Sequence, residues 1–233
     1  MIDFSSIRAM TFDCYGTLID WETGILGAVE PILRRHGADA LWTPERVLSL
    51  YARFEREIER GPYMPYRLVL REVMSRFARE LGAEFSKAEL GALADSIRDW
   101  PAFPDTAQAL RALQERFRLC VVSNIDRDLF AGSAPKLGVR LDALVTAEDV
   151  RSYKPGRAHF DAALRALGLR AEQVLHVAES KYHDIAPARL LGFPTCWVNR
   201  HAADLIPSAS GSAEAEPDFT VGSLSMLAVL TRE

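Results

Sequence analysis

The stretch "IRAMTFDCYGTLID", residues 7–20, decides the fold of this chain. Its first six residues form a largely apolar run with the length of a buried strand. Asp13 follows this run, and Tyr15, Gly16 and Thr17 then break it before the sequence becomes apolar again. A charge at the tip of a buried strand costs solvation free energy unless another group compensates for it. Asp13 is therefore the first candidate functional residue.

Length and composition restrict the class of protein. The 233 residues suffice for one large domain, or for one domain with a smaller insertion, and 48% are apolar. The formal net charge of −4 gives no reason to expect nucleic acid or an anionic membrane as partner. No apolar run approaches the roughly 18 residues of a membrane span, and no signal peptide is apparent. Cys14, Cys120 and Cys196 lack CxxC spacing, which favours reduced thiols in a cytoplasmic protein.

Alternating apolar and amphipathic segments from Arg118 onward predict a parallel sheet. Amphipathic helical segments that close on glycine separate the predicted strands, which are "RLCVVSN", "ALVTAED", "QVLHVAE" and "PTCWVN". Such alternation is typical of an α/β fold with right-handed crossovers. The strand over residues 7–13 is expected to belong to the same sheet.

Residues 20–99 have a different pattern. The segments "PERVLSLYARFEREIERG", "YRLVLREVMSRFARELG" and "SKAELGALADSIRDW" have helical periodicity, and strand-like runs are absent between them. The two prolines of "WPAFPDT" mark a boundary. We therefore expect residues 1–19 and 100–233 to form the α/β core, and residues 20–99 to form an inserted α-helical cap domain.

Charged and polar residues occur at the predicted carboxyl ends of the strands, where open parallel sheets bind ligands. The chain has only four lysines among its 28 basic residues, and two of the four lie at these ends. The residues at these positions are Asp13, Ser123, Asn124, Lys154, Glu179, Lys181 and Asp184.

In this arrangement the sequence resembles the haloacid dehalogenase superfamily over nearly the whole chain. The four motifs of that family, in order, correspond to Asp13-Cys14-Tyr15-Gly16-Thr17, Ser123-Asn124, Lys154-Pro155, and the acidic segment from Glu179 to Asp184. The resemblance implies a Rossmann-like parallel-sheet core with an inserted helical cap.

The resemblance also implies a catalytic set. Asp13 would be a nucleophile that forms a covalent ester with the substrate, and Lys154 is a suitable cation to keep it ionised. The hydroxyls of Thr17 and Ser123, and the backbone N–H groups of Gly16 and Thr17, are candidate donors to an anionic substrate. Asn124 and Asp184 complete the predicted catalytic residues.

Tyr15 favours one branch of the family. Most phosphatases of the family have a second aspartate at this position, which protonates the departing alkoxide. A halide needs no proton, and the dehalogenase branch has a tyrosine here; "PTCWVNR" (residues 194–200) also resembles that branch. The resemblance therefore implies hydrolytic dehalogenation of a small 2-haloalkanoic acid, which is an anionic substrate. It also implies that this reaction needs no cofactor and that the protein forms a homodimer.

Three positions depart from the dehalogenase pattern. The arginine that binds the halide in dehalogenases aligns near Ala52, and Arg53 lies one residue beyond, about 100° away around a helix. Phe160 replaces a dehalogenase tyrosine. Glu179 and Lys181 replace a serine and an asparagine.

These departures leave a second reading open. Glu179 and Asp184 resemble the acidic pair with which phosphatases of the family bind Mg²⁺, and Lys154 neutralises only one of the nearby carboxylates. Mg²⁺ held by Asp13, Glu179, Asp184 and the Tyr15 carbonyl would supply the missing charge. Alternatively, Lys181 would supply it and help to bind the substrate. A Mg²⁺-dependent phosphatase of small phosphoesters is thus the first alternative, and a non-catalytic metabolite- or partner-binding relative is the second.

Two histidines receive no catalytic role from the sequence. His176 lies inside a predicted strand and is expected in the core. His183, beside Asp184, is expected to be a surface or packing residue.

Overall fold

The computed structural model describes residues 3–38, 42–200 and 215–232. In this part of the chain, six parallel strands form one sheet in the order β3-β2-β1-β4-β5-β6. The predicted parallel α/β fold is thus confirmed. The strands are β1 (Ala9–Phe12), β2 (Arg118–Ser123), β3 (Ala143–Thr146), β4 (Val174–Ala178), β5 (Thr195–Val198) and β6 (Phe219–Val221).

Ten α-helices accompany the sheet in the described residues. They are α1 (Trp21–Arg35), α2 (Pro44–Glu59), α3 (Tyr66–Leu81), α4 (Lys87–Ser96), α5 (Thr106–Gln114), α6 (Arg127–Leu137), α7 (Ala147–Val150), α8 (Ala158–Leu167), α9 (Ala186–Leu190) and α10 (Leu224–Leu230). Two short 3₁₀ helices (Ile97–Asp99 and Ala171–Gln173) and one π-helix (Lys181–Ile185) complete the helical elements.

Strand β1 lies in the middle of the sheet and is fully buried. Its Met10 pairs in register with Leu119 of β2 on one side and Leu175 of β4 on the other. Because β1 is apolar on both faces, it suits a position covered by helices on both sides. The order of the strands reverses at β1, so the carboxyl ends of β1, β2 and β4 meet where such sheets bind ligands.

Between β1 and β2, the described residues form helices and no named strand. Helix α2 begins with Pro44 after Thr43, whose side chain accepts a hydrogen bond from the Arg46 N–H, a favourable helix start. Its apolar side packs against α3, where the rings of Phe54 and Phe77 meet edge to face with centroids 5.6 Å apart. These apolar sides join the same hydrophobic core as the sheet, which fixes the helices over the carboxyl end of β1.

Strand β6 and the π-helix are among the elements that the sequence did not predict. Strand β6 has only three residues and lies at the edge of the sheet. The π-helix Lys181–Ile185 follows β4 and carries Asp184; single-turn π segments often occur at functional sites. In the described residues, no helix has both the length and the apolar character that crossing a membrane requires.

Candidate active site

Asp13 lies at the carboxyl end of β1 and is 7% exposed. Its Oδ1 accepts a hydrogen bond from Lys154 Nζ at 2.8 Å, and its Oδ2 accepts one from the Thr17 hydroxyl at 2.8 Å. Burial raises the pKa of Asp13, and the Lys154 ammonium opposes this shift. Both oxygens thus face donors that stabilise the charged carboxylate.

The turn after Asp13 depends on Gly16. Its φ of +97° is one that side chains with a Cβ rarely adopt, and an added Cβ would meet the Trp21 ring at 3.0 Å. The turn directs the Thr17 hydroxyl towards Asp13, and this hydroxyl also accepts a hydrogen bond from the Glu179 N–H at 3.0 Å. Thr17 therefore connects the ends of β1 and β4.

Lys154 is 2% exposed and connects two carboxylates. Its Nζ donates to Asp13 Oδ1 at 2.8 Å, to Asp184 Oδ1 at 2.7 Å and to the Val122 carbonyl at 3.1 Å. Burial alone would lower the pKa of Lys154, but the two carboxylates raise it above its ordinary value. The Asn124 side chain fixes the lysine backbone, since Oδ1 accepts from the Lys154 N–H and Nδ2 donates to its carbonyl.

Asp184 has one engaged and one free oxygen. Its Oδ1 also accepts from His176 Nε2 at 3.1 Å, while Oδ2 is buried without a protein hydrogen-bond partner. Burial would raise the pKa of Asp184, but Lys154 and His176 lower it well below its usual range. His176 is fully buried, as expected, but it also orients Asp184, a contact that the sequence did not suggest.

A pocket opens above these residues. Its lining combines the carboxyl ends of the strands with side chains from α2 and the neighbouring helices. The lining residues are Asp13, Tyr15, Trp21, Tyr51, Ala52, Glu55, Arg56, Glu59, Tyr66, Trp100, Ser123, Asn124, Lys154, Ser180, His183 and Asp184.

Tyr15 lines this pocket, but its hydroxyl is engaged elsewhere. The hydroxyl lies 3.0 Å from the Ser133 Oγ on α6, and the ring meets Trp100 edge to face at 5.7 Å. Burial raises the pKa of Tyr15 well above its ordinary value. The side chain therefore offers the pocket an aromatic ring rather than an acidic proton.

Arg53 does not line the pocket, contrary to its predicted substrate contact. Its side chain is 53% exposed, and its guanidinium lies 4.0 Å from Glu80. Arg56, less than one helical turn further, does line the pocket, and its buried Nε has no protein hydrogen-bond partner. Three residues correspond to a net rotation of about 60° around a helix, so Arg53 lies on the exposed edge of α2 while Arg56 lines the pocket.

Lys181 and Glu179 also lie outside the pocket lining. The Lys181 ammonium lies 4.2 Å from the centre of the Trp197 ring, and Lys154 is the lysine that binds Asp13 and Asp184. The predicted position of Lys181 among the carboxylates is thus wrong. The Glu179 side chain is buried, and its Oε2 lies beside Gly16.

The predicted Mg²⁺ ligands do not form a ready metal site. Asp13 Oδ1 and Asp184 Oδ1 share the Lys154 ammonium, and Glu179 is not part of the lining. In residues 3–38, 42–200 and 215–232, no group of three or more His, Cys, Asp or Glu side chains is arranged to bind a metal ion. The described side chains therefore show no preformed Mg²⁺ site.

The charged pocket residues Glu55, Arg56 and Glu59 were not identified from the sequence, and His183, expected to be a surface or packing residue, also lines the pocket. Tyr51, Glu55 and Glu59 follow one another at intervals of four residues and therefore lie on one side of α2. This spacing was the feature of the sequence that could have indicated a shared position in the pocket. His183 faces Ser180, whose hydroxyl lies 3.1 Å from the imidazole Nδ1. Burial lowers the pKa of His183 to about 4, so this side chain is neutral at pH 7.

Known proteins share both the sequence pattern and the fold. A profile of the haloacid dehalogenase-like hydrolases matches residues 7–192. The (S)-2-haloacid dehalogenase of Pseudomonas sp. (strain YL) is 28% identical over 83% of each chain, and haloacetate dehalogenase H-2 of Moraxella sp. (strain B) is 26% identical over 92% of this chain and 93% of its own. The structure of the L-2-haloacid dehalogenase from Xanthobacter autotrophicus with chloropropionic acid covalently bound is similar with a TM-score of 0.79 at 23% identity, covering 97% of this chain and 98% of that one.

Proposed function

Because the chain belongs to the haloacid dehalogenase-like hydrolase family, we propose that it hydrolyses the carbon–halogen bond of a small 2-haloalkanoic acid. The observation that carries this proposal is the pairing of Asp13 with Tyr15. The nucleophile accepts hydrogen bonds from Lys154 and Thr17, while the hydroxyl two residues further contacts Ser133 and supplies no acid. Curated relatives named as 2-haloacid dehalogenases support the choice of substrate class.

The first step forms an ester. An Asp13 carboxylate oxygen attacks C2 of the substrate, the carbon–halogen bond breaks, and the halide leaves with the bonding electron pair. Halides are stable anions, so the step needs no general acid, which agrees with the character of Tyr15. Lys154 keeps the nucleophile ionised by donating to its Oδ1.

The second step restores Asp13. Water attacks the carbonyl carbon of the ester, the ester C–O bond breaks, and one proton of the water passes through the Asp184 carboxylate to the departing alkoxide. The 2-hydroxy acid departs, and release of the second proton leaves Asp13 as the carboxylate. The free Oδ2 of Asp184 is the acceptor available to orient this water, because Oδ1 already binds Lys154 and His176. Lys154 neutralises the charge that develops on the carbonyl oxygen.

Two groups are proposed to bind the substrate anions. Ser123, at the end of β2, lines the pocket beside the nucleophile and would donate its hydroxyl to the substrate carboxylate. Arg56 reaches the same pocket from α2 with an unpaired buried Nε, and it would bind the departing halide in place of Arg53.

The helical segment is proposed to act as a cap. Helix α2 supplies five pocket residues and α3 supplies Tyr66. A cover of this kind excludes water from the nucleophile during the first step. We therefore retain the division into a core of residues 1–19 and 100–233 and a cap of residues 20–99.

A paired assay tests the function. The purified protein is incubated with 2-chloropropanoate and 2-bromopropanoate in EDTA, and with a panel of phosphomonoesters in Mg²⁺. Halide release in EDTA, abolished in Asp13→Asn, is the expected result. Phosphate release that requires Mg²⁺, without halide release, would instead support the phosphatase. Neither activity, together with binding of a metabolite, would support the non-catalytic alternative.

A further inference from the structure

The wall of the pocket contributed by α2 carries two carboxylates, Glu55 and Glu59, one helical turn apart. Dehalogenation of a simple 2-haloalkanoate does not use them. The carboxylate of such a substrate is negative and its halogen leaves as an anion, so acidic side chains opposite them are unfavourable. The pair therefore indicates a substrate group of opposite charge.

Glu55 is bound within a polar cluster. Its Oε1 accepts hydrogen bonds from the Tyr51 hydroxyl at 2.8 Å and from the Tyr66 hydroxyl. Burial raises the pKa of Glu55, and these two hydroxyls oppose the shift by stabilising the ionised form. The Tyr51 and Tyr66 hydroxyls thus hold the carboxylate in place.

Glu59 has an oxygen that no protein group satisfies. Its Oε2 accepts from Asn124 Nδ2 at 3.3 Å, while its Oε1 is buried without a hydrogen-bond partner. Burial and the neighbouring Glu55 favour the protonated form of Glu59 and raise its pKa well above its ordinary value, and a cation placed against it would favour the ionised form instead. A buried carboxylate oxygen is costly to leave unpaired, and a positively charged donor would satisfy it.

The charge balance of the pocket supports the same conclusion. Its lining contains four carboxyl groups and two permanent cations, and the Lys154 ammonium is already bound to Asp13 and Asp184. His183 is neutral at pH 7, because burial lowers its pKa to about 4. Of the permanent cations in the lining, Arg56 alone remains on this side, so one positive charge faces two glutamates.

Aromatic rings complete this wall. Trp21 and Tyr51 line the pocket with ring centroids 5.5 Å apart, and Trp100 and Tyr15 line it as a second pair. The faces of such rings attract cations, and carboxylates combined with aromatic faces suit an ammonium group.

We propose that Glu55 and Glu59 bind a positively charged ammonium group of the substrate, so that the enzyme selects an amino-substituted 2-halo acid over a plain one. This inference rests on the proposed dehalogenation and specifies its substrate. The ammonium would contact the Oε1 of Glu59 and the carboxylate of Glu55, while the substrate carboxylate would lie beside Ser123.

A pair of substrates that differ only in this group tests the inference. In 3-amino-2-chloropropanoate an ammonium replaces the terminal methyl group of 2-chlorobutanoate, with almost the same shape. The expected kcat/KM is about 10- to 100-fold higher for the amino compound, the range of one hydrogen bond to a charged group. The ratio should fall to about one or below in the Glu55→Gln/Glu59→Gln double variant.

Glu57→Gln is the matched control. Glu57 lies on the same helix, is 52% exposed and pairs with Arg76 at 2.6 Å, so the substrate ratio should not change. Binding to the Asp13→Asn variant gives a readout independent of turnover: calorimetry should detect tighter binding of 3-aminopropanoate than of butanoate.

The outcomes separate this inference from the proposed function. Hydrolysis of both chloro acids without preference would overturn the ammonium site and leave the dehalogenase standing. A preference that persists in the double variant would overturn the assignment to Glu55 and Glu59. Tighter binding of 3-aminopropanoate, lost with the two glutamates but without halide release from either chloro acid, would support the ammonium site while refuting dehalogenation.

Discussion

Replacing Lys154 by methionine removes the cation that the buried centre depends on. The lysine ammonium lies 2.8 Å from Asp13 Oδ1 and 2.7 Å from Asp184 Oδ1, and the side chain is 2% exposed. At an effective dielectric constant of about 20, each pair attracts by about 6 kcal/mol before desolvation is counted. Removing one partner of a buried ion pair typically costs about 3–5 kcal/mol, because the remaining charge stays buried without compensation. We expect a loss of this size in the free energy of unfolding at pH 7.5, together with the loss of turnover.

The loss should depend on pH in a defined direction. Without Lys154, burial would hold the pKa values of Asp13 and Asp184 in the folded state above 3.8, the value in the unfolded chain. A carboxyl whose pKa is raised on folding contributes stability below its unfolded pKa and loses that contribution as pH rises through the folded value. In the wild type the pKa of Asp184 is lowered instead. The stability that the ionised Asp184 contributes is then present above pH 3.8 and is lost as the pH falls below that value. The stability difference between the two proteins should therefore be smallest near pH 4 and increase towards neutral pH.

Urea unfolding at pH 4.5 and pH 7.5, followed by circular dichroism, measures both effects. The Lys154→Met/Asp184→Asn double variant is the control, since removing one of the uncompensated charges should restore part of the stability at pH 7.5. A destabilisation below about 1 kcal/mol at pH 7.5 would refute the argument that Lys154 compensates two buried carboxylates. An equal loss at both pH values would point to lost packing rather than lost charge.

Three further predictions concern activity. Asp13→Asn, which is nearly isosteric, should lower kcat by more than about 10³-fold while circular dichroism and the melting temperature stay close to those of the wild type; near-normal turnover, with deamidation excluded by mass spectrometry, would remove Asp13 from the role. Arg56→Ala should lower kcat/KM for 2-chloropropanoate by about 10- to 100-fold, the range for a hydrogen bond to a charged group. Arg53→Ala should have no effect, because Arg53 is 53% exposed and lies outside the pocket. Equal effects of the two changes would contradict the assignment of the halide site to Arg56. Activity should survive dialysis against EDTA and should not increase on addition of Mg²⁺, because the Lys154 ammonium already lies between Asp13 and Asp184. Tight Mg²⁺ binding by calorimetry, with activity lost on chelation, would decide for the phosphatase.

The sequence by itself determined the sheet and the position of the nucleophile. Alternation of apolar runs with amphipathic segments is a local property, and each strand retains it whatever surrounds the strand. Because parallel strands share one direction, the residue after each strand must lie at the same edge. Asp13, Ser123 and Asn124 could therefore be brought together from their sequence positions, and the structure places all three in one pocket.

The direction of individual side chains was decided by the tertiary structure. The sequence analysis placed the dehalogenase arginine near Ala52, one residue from Arg53 and one helical turn from Arg56, and only the packing of α2 shows that Arg56 lines the pocket. Lys181 begins a π-helix, whose altered turn was not evident in the sequence, and its ammonium lies against Trp197 instead of the carboxylates. The polarity of the pocket wall depended on packing as well. Glu55 and Glu59 resemble ordinary surface residues of an amphipathic helix until α2 lies over the end of β1, which partly buries them in the pocket.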